Sequence, residues 1–517
     1  MTDGGRAGAR ADGRTSGRAV GNGRRTAVAA LAALAALAAP LAAQTGSLAK
    51  RLDARLDAPP FHRMLWGVAV VDDKGKLLYG RNADRLFVPA SNTKLVVSAA
   101  AAALLPPDLR MRTSVYAAGP IVDGIVQGDL VLYGRGDPTM SRRCYAVDTL
   151  AAGACDLDAS ARLDALADTL AARGIRAVSG DVVGDGSWFD AELLHPSWEW
   201  YDLNWWYAAP VSGLGFNDNS IDITLAPGPR EGTPAQVAFA PDFGDVTLEN
   251  RTRTVGDADE ETIDWYREPG TLRIWGEGTV QADARPRTEH FALPDPNLFA
   301  AQALRAALAR RGIAVHGAAA STLDSMRYEF VRRGPAVAET PGRPVRDWIF
   351  PILNTSQNWF AEMVLKQLGR RFGAAGSWSE GLKVERRFLI DSVGIDSTQF
   401  ALVDGSGLAA NNLVSPRAFT QLLRYMQSHP NAGTFVAGMP VAGQAGSLRT
   451  RFRGTPVEGK VIAKTGTISR TSTLSGYVET PKGRRLTFSI QANHHALSTA
   501  AVRAQLDSLV VEMTRGL

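Results

Sequence analysis

Cysteine is almost missing from this 517-residue chain, with only Cys144 and Cys155, eleven apart in a loop-like stretch. Neither has metal-ligand spacing with another cysteine or a histidine, which excludes a cysteine-based metal site. In an exported protein a local Cys144–Cys155 disulfide is the expected state. Histidine is scarce as well: the seven are scattered, only His494 and His495 are adjacent, and no H-E-x-x-H occurs. No catalytic metal is therefore expected. G-x-S-x-G is absent, which removes the α/β-hydrolase nucleophile elbow. Long apolar runs are also lacking. The "TAVAALAALAALAAPLAA" segment is too short and too mild for a membrane span.

The positive charge is misleading. A formal charge of +5 and a pI near 9.2 invite a nucleic-acid partner, but residues 1–43 hold six arginines and two aspartates. That leaves a nearly neutral remainder without a basic stripe, so no nucleic-acid partner is expected. The same 43 residues read as an export signal. A Gly/Arg/Ser-rich start ends at Arg24-Arg25, the Ala/Leu segment follows, and a small-residue cleavage region lies around Ala42-Ala43. The mature chain is expected in the periplasm or otherwise outside the cytoplasm. "GRRTAV" is a poor match to a twin-arginine signal, and the export route stays open.

What is present is an ordinary globular composition, 45% hydrophobic and 21% charged, in a chain long enough for two or three domains. After a short helical lead, "WGVAVVD" and "LLYG" read as a hairpin around "DKGK", and Lys94–Leu105 as a helix closed by Pro106-Pro107. From about residue 113 the texture becomes β-like, with helical stretches at Ala159–Arg173 and Asn297–Arg311 and an aromatic-dense "WEWYDLNWWY". "AARGIRAVSG" and "ARRGIAVHG" echo each other as helix–Gly–strand units. From about 338 longer helices return, then strands in "KVIAKTG", "TSTLSGYVE" and "RRLTFSIQAN", and a final helix. Strand-rich segments at both ends suggest one sheet assembled from both termini, with 113–337 inserted.

Three short motifs carry chemistry. Ser91 and Lys94 lie three apart at a helix start, on one face, where backbone N–H groups favour developing negative charge. A lysine partly buried there can act as base. Alone the pair reads equally as a helix cap with a surface lysine, and Ser47-Leu-Ala-Lys50 has the same spacing. Ser356-Gln357-Asn358 opens a helix and is the only S-x-N; its hydroxyl could relay protons and its amide orient a carbonyl. Lys464-Thr465-Gly466 is the only K-T-G, followed by Thr467 on a strand that could dock an extended substrate edge-on. In the order S-x-x-K, S-x-N, K-T-G they form the signature of penicillin-binding proteins and serine β-lactamases.

The spacing narrows the resemblance. Ser91 and Ser356 are 265 residues apart, far more than a compact β-lactamase needs, and the insert carries "GDLVLYGRGDPTM", "GDVVGDGSWFD" and "APVSGLGFNDN". With "VDGSGLAANNLVSP", these resemble the D-alanyl-D-alanine carboxypeptidase/endopeptidase family, the low-molecular-mass class C penicillin-binding proteins, over roughly residues 60–515.

The resemblance implies an α+β fold: a penicillin-recognising transpeptidase-type domain, with an antiparallel five-stranded sheet flanked by helices, interrupted by two mainly β domains. The divisions expected are 44–112 with 338–517 for the catalytic domain, 113–135 with 225–337 for one insert, and 136–224 for the other. It also implies roles. Ser91 would be the nucleophile and Lys94 its base, with Ser356 and Asn358 assisting. Lys464, Thr465, Gly466 and Thr467 would bind substrate, and the N–H groups of Ser91 and Thr467 would form the oxyanion hole. The implied activity is serine DD-carboxypeptidase or DD-endopeptidase action on peptidoglycan peptides, inhibited by β-lactams. A β-lactamase or esterase on the same fold and a non-catalytic envelope scaffold are the rivals; no clear Glu-x-x-x-Asn element lies between Ser356 and Lys464 to serve the former. Two positions depart from the family pattern: Gln357 stands where aspartate is usual, and Ala409-Ala410 where Ser-Arg is usual. The latter leaves preference for a diaminopimelate-type side chain open.

Overall fold

In the computed structural model residues 47–143 and 158–517 are described. The expected export segment and both cysteines lie outside them. The catalytic sheet begins with β1 (Leu65–Val71), whose consecutive apolar residues suit a strand covered on both faces, and all but its first residue are buried. Asp72 turns the chain by accepting the N–H groups of Lys74 and Lys76, and β2 (Leu77–Arg81) returns beside β1. The remaining strands come from the C-terminal end: β3 (Val461–Ile468), β4 (Thr471–Glu479) and β5 (Arg485–Asn493). The order is β2-β1-β5-β4-β3, antiparallel throughout. Pairing of β1 with β5, from Leu65 opposite Asn493 to Val71 opposite Thr487, closes the sheet from both termini as expected.

Helices cover both faces. They are α1 (Leu48–Leu56), α2 (Lys94–Leu104), α3 (Asn358–Phe372), α4 (Trp378–Arg387), α5 (Pro416–Ser428) and α6 (Thr499–Thr514). α1 and α6 bury Leu52, Leu56, Leu506 and Leu509 against Val68, Leu474, Phe488 and Ile490 on one face. Arg51 and Arg55 clamp Glu512 to fasten the two helices. The other face carries a larger helical core in which α2, α3 and α5 pack together around Val97, Phe360, Val364, Phe419 and Leu423. β3 is the outer strand on the side where the three motifs meet.

The inserted region does not divide as the sequence suggested. A mixed sheet runs in the order Ala319–Thr322, Val182–Asp185, Leu130–Gly134, Arg110–Ala117, Ala338–Pro344. Val182–Asp185, expected in the separate 136–224 insert, thus lies between two strands expected elsewhere. The reason is visible in the echoed segments. Ala161–Ala172 and Pro296–Arg310 are helices that pack together, and the strands after them, Ala177–Val178 and Ala314–Val315, pair in parallel. The two halves of the echo bury one another, so they cannot belong to independent cores. Two three-stranded sheets complete the region, Gln236–Ala240/Ser220–Ala226/Arg287–Ala292 and Thr247–Val255/Arg273–Gln281/Asp264–Arg267. Among the described residues no helix is long and apolar enough to cross a membrane.

Phe488 is fully buried between α6 and the sheet. Phe488→Ala should destabilise the catalytic domain by about 3–5 kcal/mol. Urea unfolding followed by tryptophan fluorescence would measure this, and an unchanged midpoint would contradict the packing described.

Candidate active site

Ser91 sits in a 3-10 turn, Ala90–Thr93, that runs directly into α2. The turn is tighter than a plain helix start, with the Lys94 N–H donating to the Ser91 carbonyl, and Ala90 just ahead of Ser91 is left-handed (φ +47°). It is held to the sheet by Asn92 Nδ2 donating to Ser475 Oγ (2.6 Å) and by Thr473 Oγ1 donating to the Pro89 carbonyl (2.8 Å). Gly407 lets the next loop press against it: a Cβ there would lie 1.9 Å from the Ala90 oxygen. Ser91 is partly exposed, whereas Lys94 one turn on is wholly buried.

Lys94 Nζ lies 3.0 Å from Ser91 Oγ, 2.7 Å from Asn358 Oδ1 and 2.6 Å from the Ser406 carbonyl. Burial pushes this amine down to about 7, against the pull of Asp404 and Glu362. A neutral amine has two N–H donors and one lone pair. Asn358 Oδ1 and the Ser406 oxygen are pure acceptors and take the two donors. The lone pair is then left for the hydroxyl proton of Ser91.

The second motif arrives on α3. Ser356 is left-handed (φ +63°) just ahead of the helix, a strained conformation that brings its Oγ within 2.8 Å of Lys464 Nζ. Asn358 opens the helix, and its Nδ2 donates to the Tyr207 carbonyl at 2.8 Å, which fixes Oδ1 toward Lys94. Gln357 points elsewhere. Its Oε1 caps α3 at Trp359 N–H and its Nε2 donates to Asp218 Oδ2.

The third motif lies on β3, with Lys464 and Gly466 on the covered side and Thr465 and Thr467 partly exposed, the alternation a strand dictates. Gly466 is required by proximity: a Cβ there would stand 2.7 Å from the Pro89 oxygen and 3.0 Å from the Ser91 nitrogen. Lys464 Nζ also donates to the Thr465 carbonyl. Burial, and then the nearby Lys94, hold Lys464 well below the ordinary lysine value. Thr465 Oγ1 meets Ser447 Oγ, and Arg503 on α6 donates to Thr467 Oγ1 at 3.3 Å. All eight residues singled out in the sequence therefore fall in one place.

Comparison with known proteins fixes the lineage. The model of the D-Ala-D-Ala carboxypeptidase 3 (S13) family matches residues 48–513. The chain is 35% identical over 484 residues to a D-alanyl-D-alanine carboxypeptidase of Actinomadura sp. (strain R39), covering 91% of this chain and 85% of the relative. The chain belongs to the S13 family. A carboxypeptidase DacB of Mycolicibacterium smegmatis is 27% identical, over 86% of this chain and 80% of its own. The crystal structure of penicillin binding protein 4 (dacB) from Haemophilus influenzae superposes with a TM-score of 0.74, covering 90% of this chain and 97% of that one at 21% identity, and so shares the fold.

Within this S13 chain several working parts had no sequence signal of their own. Tyr207 contributes through its carbonyl, from the aromatic-dense loop, and Ser406 likewise, so side-chain chemistry could not reveal them. Arg503 and the buried Glu362 carry no motif, and Asp404 and Ser406 stand in the "VDGSGLAANNLVSP" stretch without having been singled out. The departure at Gln357 has a structural reason: its partner Asp218 is itself a fully buried acid, so an amide supplies the donor that a carboxylate lacks. Ala409 is buried and gives its N–H to Asp404, while Ala410 is exposed on the loop surface. The decoy also resolves. Ser47 caps α1, accepting the Lys50 N–H, and Lys50 is exposed.

Gly466→Ala should push Ser91 and its turn outward, at a cost of about 1–3 kcal/mol in overpacking. Acylation by a reporter penicillin should slow roughly tenfold to hundredfold, whereas Lys50→Ala should leave it unchanged. Equal rates for Gly466→Ala and the unaltered enzyme would contradict the close approach.

Proposed function

We propose that this S13 enzyme is a serine DD-carboxypeptidase/endopeptidase of peptidoglycan peptides that works through an acyl-enzyme on Ser91. Ser91 Oγ attacks the carbonyl of the penultimate D-Ala and passes its proton to Lys94 Nζ. The N–H groups of Ser91 and Thr467 receive the oxyanion. Collapse expels the terminal D-Ala, or the amine of a cross-link, and the proton held on Lys94 passes by way of Ser356 to its nitrogen, which leaves Lys94 neutral again. Water then attacks the ester, Lys94 takes its proton and returns it to Ser91 Oγ as the ester bond breaks. Lys464, Thr465 and Thr467 hold the terminal carboxylate, whose charge draws a proton back onto Lys464. A β-lactam enters by the same acylation and leaves slowly. No cofactor is called on. The Arg24-Arg25, Ala/Leu and Ala42-Ala43 pattern supports export with loss of residues 1–43.

The observation that carries this reading is the placement of Lys94 Nζ between Ser91 Oγ and two acceptors that use up its N–H donors. Its test is incubation of the mature chain with a reporter penicillin and with a D-Ala-D-Ala pentapeptide, beside Ser91→Ala. Labelling and D-Ala release should both depend on Ser91. No Ser91-dependent label sinks the assignment, label without D-Ala release favours a scaffold, and rapid penicillin turnover a β-lactamase.

Because Lys94 acts in its neutral form, the acylation rate should rise with pH through about 7 and level off above it. A stopped-flow pH profile flat from 5 to 9 would contradict a lysine base.

Ala410 leaves the loop surface without a cation. Ala410→Arg should raise kcat/KM several-fold for a peptide whose side chain ends in a carboxylate, relative to its amide. An unchanged ratio would show that this position does not face the side chain.

A further inference from the structure

A group of acids lies buried behind Lys94, and the mechanism above does not use it. Glu362 stands one turn after Asn358 on α3 and is wholly buried. Its Oε1 accepts the N–H of Ser406 (2.7 Å), and its Oε2 accepts those of Gly405 (3.0 Å) and Trp378 Nε1 (2.8 Å). Ser406 is the residue whose carbonyl receives Lys94 Nζ at 2.6 Å. One helix thus grips the lysine twice: directly through Asn358, and through Glu362 by way of the Gly405–Ser406 backbone.

We propose that Glu362 is a positioning residue: it fixes the Gly405–Ser406 backbone that receives Lys94 and, when ionised, adds to the negative charge behind the amine. This rests on the reading of Lys94 as the base of Ser91. Burial and the neighbouring Asp404 raise Glu362 to about 7, and Asp404 exerts the larger pull on the Lys94 proton, so Glu362 adds to that charge while its oxygens grip the loop. Asp404, across the loop, is occupied by the N–H groups of Gly407 and Ala409, Asn412 Nδ2 and Trp198 Nε1. Glu385, on α4, is wholly buried with neither carboxyl oxygen hydrogen-bonded to protein, and burial beside Glu362 and Asp404 raises it well above the usual carboxyl range. It is the neutral member of the group. Lys366, farther along α3, is committed to Asp190 and the Glu192 carbonyl. His195 is lowered by its own burial and adds no fixed charge. On the far side of Lys94, Lys464 is held by Ser356. Asp404 holds the far part of the loop, whereas Glu362 accepts the Gly405 and Ser406 N–H groups next to the carbonyl that receives Lys94.

The experiment is the pH profile of Ser91 acylation by a reporter penicillin in Glu362→Gln, Glu362→Asp and Trp378→Phe. Glu362→Gln should slow acylation several-fold through the loosened loop and move the acid limb toward lower pH by less than about one unit, because Asp404 remains. Glu362→Asp keeps the charge on a shorter arm, so its rate should fall several-fold with the limb in place. If Glu362→Gln does not fold, Trp378→Phe carries the test. It removes one donor that stabilises the Glu362 carboxylate and should shift the limb in the same direction by less. A uniform rate loss with the limb unmoved in the folded variants would reduce Glu362 to a packing role and overturn the proposal. Absence of Ser91-dependent labelling in the unaltered enzyme would fall on the reading of the base instead, so the two failures are distinguishable.

Discussion

Burying an amine without a carboxylate in direct contact is the constraint on which the site depends. Lys94 keeps its place because three oxygens surround Nζ, from Ser91, Asn358 and the Ser406 carbonyl. None of them carries a full charge, and the acids Glu362 and Asp404 stand one layer behind. A direct ion pair would keep the lysine protonated and useless as a base; complete isolation would leave it unable to carry the proton it takes. The arrangement sits between these limits.

Much of the fold exists to hold those oxygens. The strand pair β1–β5 joins the two ends of the chain and makes the sheet on which the Ser91 turn rests, through Asn92–Ser475 and Thr473–Pro89. α3 brings Asn358 and Glu362 from 267 and 271 residues after Ser91. The inserted region lies at the same site: the Tyr207 carbonyl orients Asn358, Asp218 anchors Gln357, and Trp198 reaches Asp404. A long insert between the first and second motifs therefore becomes part of the wall around the lysine.

The catalytic half was legible in the sequence because its signals are local. The strands and helices follow apolar periodicity and capping, and the three motifs are short, side-chain-based and ordered. For that reason Ser91, Lys94, Ser356, Asn358, Lys464 and Gly466 could be grouped from the sequence, and the structure brings them together. The second tier could not. Ser406 and Tyr207 act through carbonyls, Glu362 through backbone N–H groups, and Arg503 through a threonine on another element. Such roles depend on tertiary placement, which any residue type can supply. The division of the insert failed for a related reason: parallel pairing of Ala177–Val178 with Ala314–Val315 spans more than a hundred residues, and only the short echo hinted at it.

The state of the Lys94 amine in the resting enzyme decides the account. A carbon-13 or nitrogen-15 NMR titration of the lysine side chains, with Lys94 assigned through Lys94→Arg, measures it without substrate. The account predicts a midpoint near 7. A midpoint near the ordinary 10.5 of lysine would contradict it, because Lys94 would then be protonated whenever Ser91 must lose its proton.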